Sequence, residues 1–131
     1  MLTARDIMTE EVVTIRPDCS VQDGIEQLLK EQISGLPVVD GFGRLVGIVS
    51  EFALLAIAYD RGVMADAIEQ HMTTEVLSVH VDDPIRKVAD LFIVHRVRRV
   101  PVQDKGRLVG LISRCDVLKA IYEGRAAVGA F

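Results

Sequence analysis

Two stretches, RLVGIVSEFALL at 44–55 and RLVGLISRCDVL at 107–118, are nearly one peptide written twice. Arg44-Leu45-Val46-Gly47 matches Arg107-Leu108-Val109-Gly110, and each copy runs through an aliphatic pair to a serine, Ser50 or Ser113. Three residues later they part, with Ala53 in the first copy and Asp116 in the second. Outward from this pair the match continues. Met8-Thr9 falls on Met72-Thr73 at an offset of 64, which also sets Val12 on Val76, Ile15 on Val79, Val21 on Ile85 and Leu28 on Phe92. Ile33 falls on Val97, Pro37-Val38 on Pro101-Val102 and Asp40 on Asp104. GFG at 41–43 then faces KG at 105–106, and the offset becomes 63. One deletion in a turn, where chains accept changes of length, keeps two halves in register over about fifty residues. The paired positions are mostly apolar or turn residues, so they specify a repeated fold.

Each half reads as β-α-β-β-α. Glu11–Ile15 and Glu75–Val79 are expected to be short strands, rich in β-branched residues. Ser20 is the expected N-cap of a helix with Val21, Ile25, Leu28 and Leu29 on one face. In the second half Asp83 is expected to cap and Pro84 to take the first helical position, with Val88, Leu91, Phe92 and His95 following at helical spacing. Leu36–Val39 and Leu45–Val49 form a hairpin across DGFG, as do Val100–Gln103 and Leu108–Ile112 across DKG. Helices over Glu51–Tyr59 and Arg114–Glu123 close the halves, and short helical lead-ins at Ala4–Met8 and Ala65–His71 open them. The expected fold class is α+β: two repeats, 1–62 and 63–123, packed sheet to sheet about a pseudo-twofold axis, with a small apolar tail at 124–131. A unit of about sixty residues buries too little to be comfortable alone, so the halves are expected to share a core and create two equivalent clefts.

The 131 residues are half apolar, with no tryptophan, and carry a net charge of −4. The longest apolar run, Phe52–Tyr59, is short of the roughly 18–20 residues of a membrane span. MLTARDIMTEE lacks the apolar stretch of a signal peptide, which gives a cytoplasmic expectation. Cys19 and Cys115 show no motif spacing and are read as reduced thiols. His71, His80 and His95 sit on three different elements without ligand spacing, so no metal site is expected. The acidic balance and few aromatics disfavour nucleic acid as a partner for HRVRR at 95–99. The serines lack a G-x-S-x-G elbow, and no nucleophile–base–acid pattern emerges, so no enzyme is expected.

With these two repeats, the chain resembles a tandem pair of CBS domains, the cystathionine-β-synthase repeat or Bateman module, from about residue 5 to residue 123. The resemblance rests on LPVVD and VPVQD and on the signature G-h-h-S/T-x-x-D, where h is apolar. Gly110-Leu111-Ile112-Ser113-Arg114-Cys115-Asp116 satisfies it, and Gly47-Ile48-Val49-Ser50-Glu51-Phe52-Ala53 does so except for the Asp. The family implies a stand-alone regulatory module that binds an adenine nucleotide such as AMP, ADP or ATP in an inter-repeat cleft. It implies ribose contact from Asp116, ribose or phosphate contact from Ser113, and phosphate contact from Arg98 and Arg99. It further implies adenine contacts from Met8, Val13, Ile33, Ser34 and Leu111. A guanidinium fork suits phosphate, and a carboxylate suits paired hydroxyls. At the twin positions stand Ser34, Gly35 and Ala53 in place of Arg98, Arg99 and Asp116, so one nucleotide per chain is expected. The resemblance also implies a homodimer, with an effector protein as a further partner. The apolar runs Leu54, Leu55, Ile57, Ala58 and Val117, Leu118, Ile121, Tyr122 would make the dimer contact. The alternative is a dimerisation or adaptor module with empty clefts. Plainer roles compete at single positions: Asp116 and the serines as helix-end groups, the arginines as solvated charge.

Overall fold

The computed structural model describes residues 1–124; the rest of the expected tail, 125–131, lies outside them. The chain forms two compact units. One is built from Val13–Val76, the other from Met1–Val12 together with Leu77 onward. They are called the inner unit and the outer unit below.

In the inner unit, Val21–Glu31 is helix α2, followed by strands β1 (Gly35–Val39) and β2 (Leu45–Ser50) and helix α3 (Glu51–Ile57). Strands β1 and β2 pair antiparallel, with Gly35 opposite Ser50 and Pro37 opposite Ile48. In the outer unit, α1 (Ala4–Ile7) joins β3 (Val79–His80), α4 (Ile85–His95), β4 (Arg99–Asp104), β5 (Arg107–Ser113) and α5 (Arg114–Tyr122). The sheet order is β3-β4-β5, parallel then antiparallel. The expected helices and hairpins are present, with ends moved by one or two residues.

Three expectations needed correction. Glu11–Ile15 is not a strand: Ile15 alone bridges Val38, and of the run Glu75–Val79 only Val79 enters β3, with His80 beyond it. Val12, Val13, Val76 and Leu77 are apolar, but no neighbouring strand offers them a ladder partner, and backbone pairing begins only at Ile15 and Val79. Ala65–His71 is not an α-helix but part of two short 3₁₀ turns, Arg61–Ala65 and Ile68–Gln70. Asp83 does not cap α4; Pro84 holds the cap position, and the Asp83 carboxylate instead accepts the His80 N–H at 2.9 Å.

The cores repeat residue for residue. Ile15, Val21, Leu28, Leu36, Val38, Val49 and Leu54 are buried in the inner unit, and Val79, Ile85, Phe92, Val100, Val102, Ile112 and Val117 are buried in the outer one. The lead-ins do not follow their own repeats. Ala4, from the first repeat, is buried in the outer core, while its counterpart Ile68, from the second repeat, is buried in the inner core. Backbone pairing says the same: Thr9 and Leu111 exchange hydrogen bonds of 2.8 and 2.9 Å, as do Thr73 and Ile48.

This docking explains the glycine of each signature. A Cβ at Gly47 would lie 2.9 Å from the Thr73 carbonyl oxygen, and one at Gly110 would lie 3.0 Å from that of Thr9. The methionine side chains of Met72 and Met8 cover the same spots. Backbone cannot rotate away as a side chain can, so any Cβ forces the lead-in off the strand. The first hairpin turn is held differently. Asp40 accepts N–H groups from Phe42 and Arg44 and the Arg44 guanidinium at 2.8 Å. Partial removal from water raises its pKa, but these donors outweigh that and hold the carboxyl below the usual carboxylate range. What the turn gains is therefore present above the unfolded-state pKa and is lost as pH falls through the lower folded value.

Gly47→Ala and Gly110→Ala should each destabilise by about 1–3 kcal/mol in urea titration, the range for overpacking. Gly35→Ala, whose Cβ would meet only the Val49 oxygen at 3.5 Å, should cost little, and equal losses at all three positions would contradict the docking account.

Candidate functional site

Strand β5 ends at Ser113, and α5 begins at the next residue. The serine caps that helix: its Oγ accepts the Asp116 N–H at 3.1 Å, and its own N–H donates to Asp116 Oδ2 at 2.8 Å. The pair is a reciprocal capping box, favoured because it satisfies two otherwise orphaned donors. Strand β4 begins opposite, with Arg99 paired to Ser113, and the Arg114 N–H donates to the Arg98 carbonyl at 3.1 Å. One end of the β4–β5 hairpin thus gathers Arg98, Arg99, Ser113 and Asp116.

The charges there are uneven. Arg98 and Arg99 are exposed and make no ion pair among the described residues, where six other pairs do form. Asp116 is half-buried; its Oδ2 is engaged with Ser113, and Oδ1 has no partner among the described residues. Of the first three N–H groups of α5, those of Arg114 and Asp116 are already bonded. The helix end therefore has less left for an anion than a bare N-terminus, and the two guanidiniums carry most of the positive charge on offer.

Met8 and Leu111 belong to the same unit. Leu111 pairs with Pro101 on one edge and with Thr9 on the other, and Met8 lies over the neighbouring Gly110. Val13, Ile33 and Ser34 belong to the inner unit, where Val13 and Ile33 pack against its core and the Ser34 carbonyl accepts the Glu51 N–H at 2.9 Å.

The inner unit repeats the scaffold without the charge. Gly35 pairs with Ser50, and Ser50 Oγ accepts the Ala53 N–H at 3.1 Å. Ala53 has no carboxylate to return the bond. Gly35 has room for a Cβ, so nothing in its packing requires the arginine to be missing. The left-handed residue that ends the preceding helix, Gln32 or Arg96, is the same in both units at φ 54° and 53°. Arg96 thereby reads as a helix end, apart from Arg98 and Arg99.

Sequence reading missed Thr9, the residue that carries the lead-in onto β5. Its repeat at Thr73 was visible, but a repeat cannot say which copy of the strand receives it. Among the described residues, no group of three or more His, Cys, Asp or Glu is placed to hold a metal ion, and Cys19 and Cys115 are free thiols. No helix among them is long and apolar enough to cross a membrane.

Comparison with known proteins adds the following. A family model described as "CBS domain" matches residues 4–60 and 65–123. The structure of CBSX2 in complex with AMP, a CBS-pair protein of Arabidopsis thaliana, superposes with a TM-score of 0.84 at 30% identity, over 94% of this chain and 98% of that one. The CBS domain pair of protein MJ0100, in complex with 5′-methylthioadenosine and S-adenosyl-L-methionine, gives 0.77 at 28% identity over 95% and 98%. The inosine-5′-monophosphate dehydrogenase of Methanocaldococcus jannaschii is 34% identical over 88% of this chain but only 23% of its own length. The chain spans less than half the length of the first curated relatives it matches.

Removing either cap, by Ser50→Ala or Ser113→Ala, should lower stability by about 1 kcal/mol. Asp116→Ala should cost about as much through the lost bond to the Ser113 N–H. Chemical denaturation followed by circular dichroism measures all three, and a neutral Asp116→Ala would contradict the capping box.

Proposed function

The chain belongs to the CBS domain family, and from that premise we propose that it is a regulatory module binding one adenine nucleotide per chain, without chemistry of its own. The observation that carries this reading is the uncompensated pair Arg98 and Arg99, set against Ser113 and Asp116 at one hairpin end. Two guanidiniums without carboxylate partners suit phosphate oxygens, which they bind through paired N–H donors. Asp116 Oδ1 suits a ribose hydroxyl, and the capping bond on Oδ2 holds the carboxylate in place for it. In the proposal Met8 and Leu111 meet the base on the outer unit; Val13, Ile33 and Ser34 belong to the inner one. That CBSX2 was solved with AMP, and MJ0100 with adenosine-based ligands, supports adenine as the base.

The lack of Asp116, Arg98 and Arg99 counterparts at Ala53, Ser34 and Gly35 supports a single site. The signal passes through a homodimer or to an effector protein, and its size is bounded by the ligand's differential affinity for the two states. The free thiols suit a reducing, cytoplasmic location. The rival reading, an adaptor without ligand, draws on the exposed apolar side chains Leu55, Tyr59, Leu118 and Tyr122.

Calorimetry with AMP, ADP, ATP and S-adenosylmethionine should give one site per chain for at least one of them. Arg98→Ala and Arg99→Ala should each weaken it on the order of 10- to 100-fold, the range for hydrogen bonds to charged groups. No heat with any ligand at millimolar concentration favours the adaptor. The triple variant Ser34→Arg, Gly35→Arg, Ala53→Asp should raise the stoichiometry towards two; a variant that folds but still binds one nucleotide would count against the account of the missing site.

A further inference from the structure

The helix pairs of the two units expose equivalent apolar residues and carry opposite formal charge. In each unit the two longer helices lie against each other, α2 with α3 and α4 with α5. Each pair leaves large apolar side chains in water at equivalent positions. Leu29 is 73% exposed and Ile93 73%; Leu55 is 64% and Leu118 67%; Tyr59 is 92% and Tyr122 89%. In the inner unit Phe52 adds to these, and the face is hollowed into a groove of about 360 Å³ with Ile25, Leu28 and Leu54 at its base and Glu51 at its edge. Apolar surface on this scale, contiguous and repeated, marks an interaction face.

The charges around the faces differ. The inner unit carries four Arg or Lys against ten Asp or Glu, a formal −6; the rest of the chain carries eleven against nine, a formal +2. The difference reaches the faces themselves. Helices α2 and α3 carry one Lys against four Asp or Glu, a formal −3, and α4 and α5 carry four Arg or Lys against two Asp, a formal +2. Glu51, at the edge of the groove, is matched by Arg114, and both are exposed.

We propose that a second copy of this chain docks head to tail, the acidic face Leu29–Phe52–Leu55 of one copy on the basic face Ile93–Val94–Leu118 of the other. This rests on the homodimer reading above and adds its orientation. Pairing like with like sets helices of −3 against −3, whereas pairing unlike faces sets −3 against +2. Like-charge juxtaposition is penalised at an interface, and opposite fields fix the register of approach.

Sedimentation across a range of salt concentrations tests this on the unmodified chain. Head-to-tail pairing loosens as salt screens the attraction, whereas like-to-like pairing tightens. Glu51→Arg should weaken the dimer on the order of 2- to 5-fold, the range for exposed charges, and adding Arg114→Glu should restore it. A Glu51→Arg dimer tighter than the original overturns the orientation. Cross-linking gives a separate check in a chain with Cys19 and Cys115 replaced by serine and native circular dichroism. Leu55→Cys chains and Leu118→Cys chains should link only when mixed, up to the statistical share of mixed dimers. Links within either chain alone overturn the head-to-tail arrangement and leave the dimer standing. A monomer at every concentration and salt overturns the dimer reading and the orientation together.

Discussion

The close approach of a methionine-threonine segment to a glycine strand is the constraint on which each unit depends. At Gly110 and at Gly47 two backbones come so near that only hydrogen fits between them. The hydrogen bonds made there, Thr9 with Leu111 and Thr73 with Ile48, close an edge that each hairpin would otherwise leave open to solvent. From that edge the rest follows in order. The lead-in brings Ala4 or Ile68 into the core, the strand it covers ends in a serine, and the serine caps the helix that begins there. In the outer unit the same cap fixes Asp116, so packing at Gly110 and the pose of the carboxylate lie on one continuous stretch of seven residues, 110–116.

Much of this was legible in the sequence because apolar periodicity and turn chemistry are local. The hairpins announced themselves through DGFG and DKG, and the helices through Ser20 and the Val88–Phe92 face. The seven matched pairs of core residues followed from the offset alone. What stayed hidden was long-range. Nothing in the chain says that Ala4 packs beside Val88 rather than with its own repeat. Yet one trace was present. Gly24 has its missing Cβ filled by Ile68, 2.8 Å from where that atom would sit, and at the equivalent places the outer unit has Val88 and Ala4. A small residue facing a large one in one copy, and the reverse sizes in the other, is what a packed interior of fixed density requires. The trade of bulk makes sense only if position 24 meets 68 and position 88 meets 4.

The candidate site shows a different limit. Sequence singled out Asp116, Ser113, Arg98 and Arg99, and the hairpin register brings these four to one end of one unit. It could not show that Asp116 already serves its own helix. The capping bond occupies Oδ2 and leaves Oδ1 open, so the structural duty is compatible with the ligand contact proposed for that carboxylate. The short strands expected at 11–15 and 75–79 failed for a plain reason. Their β-branched residues favour extended backbone, but pairing partners exist only at Ile15 and at Val79–His80.

The traded lead-ins also bear on dissection. Each lead-in packs in the core closed by the other repeat's hairpin, so a fragment cut between the repeats, 1–62 or 63–123, keeps an arm whose socket it lacks and a strand edge left bare. Within one chain the exchange is intramolecular, and the closing of each core does not wait on the concentration of a mate.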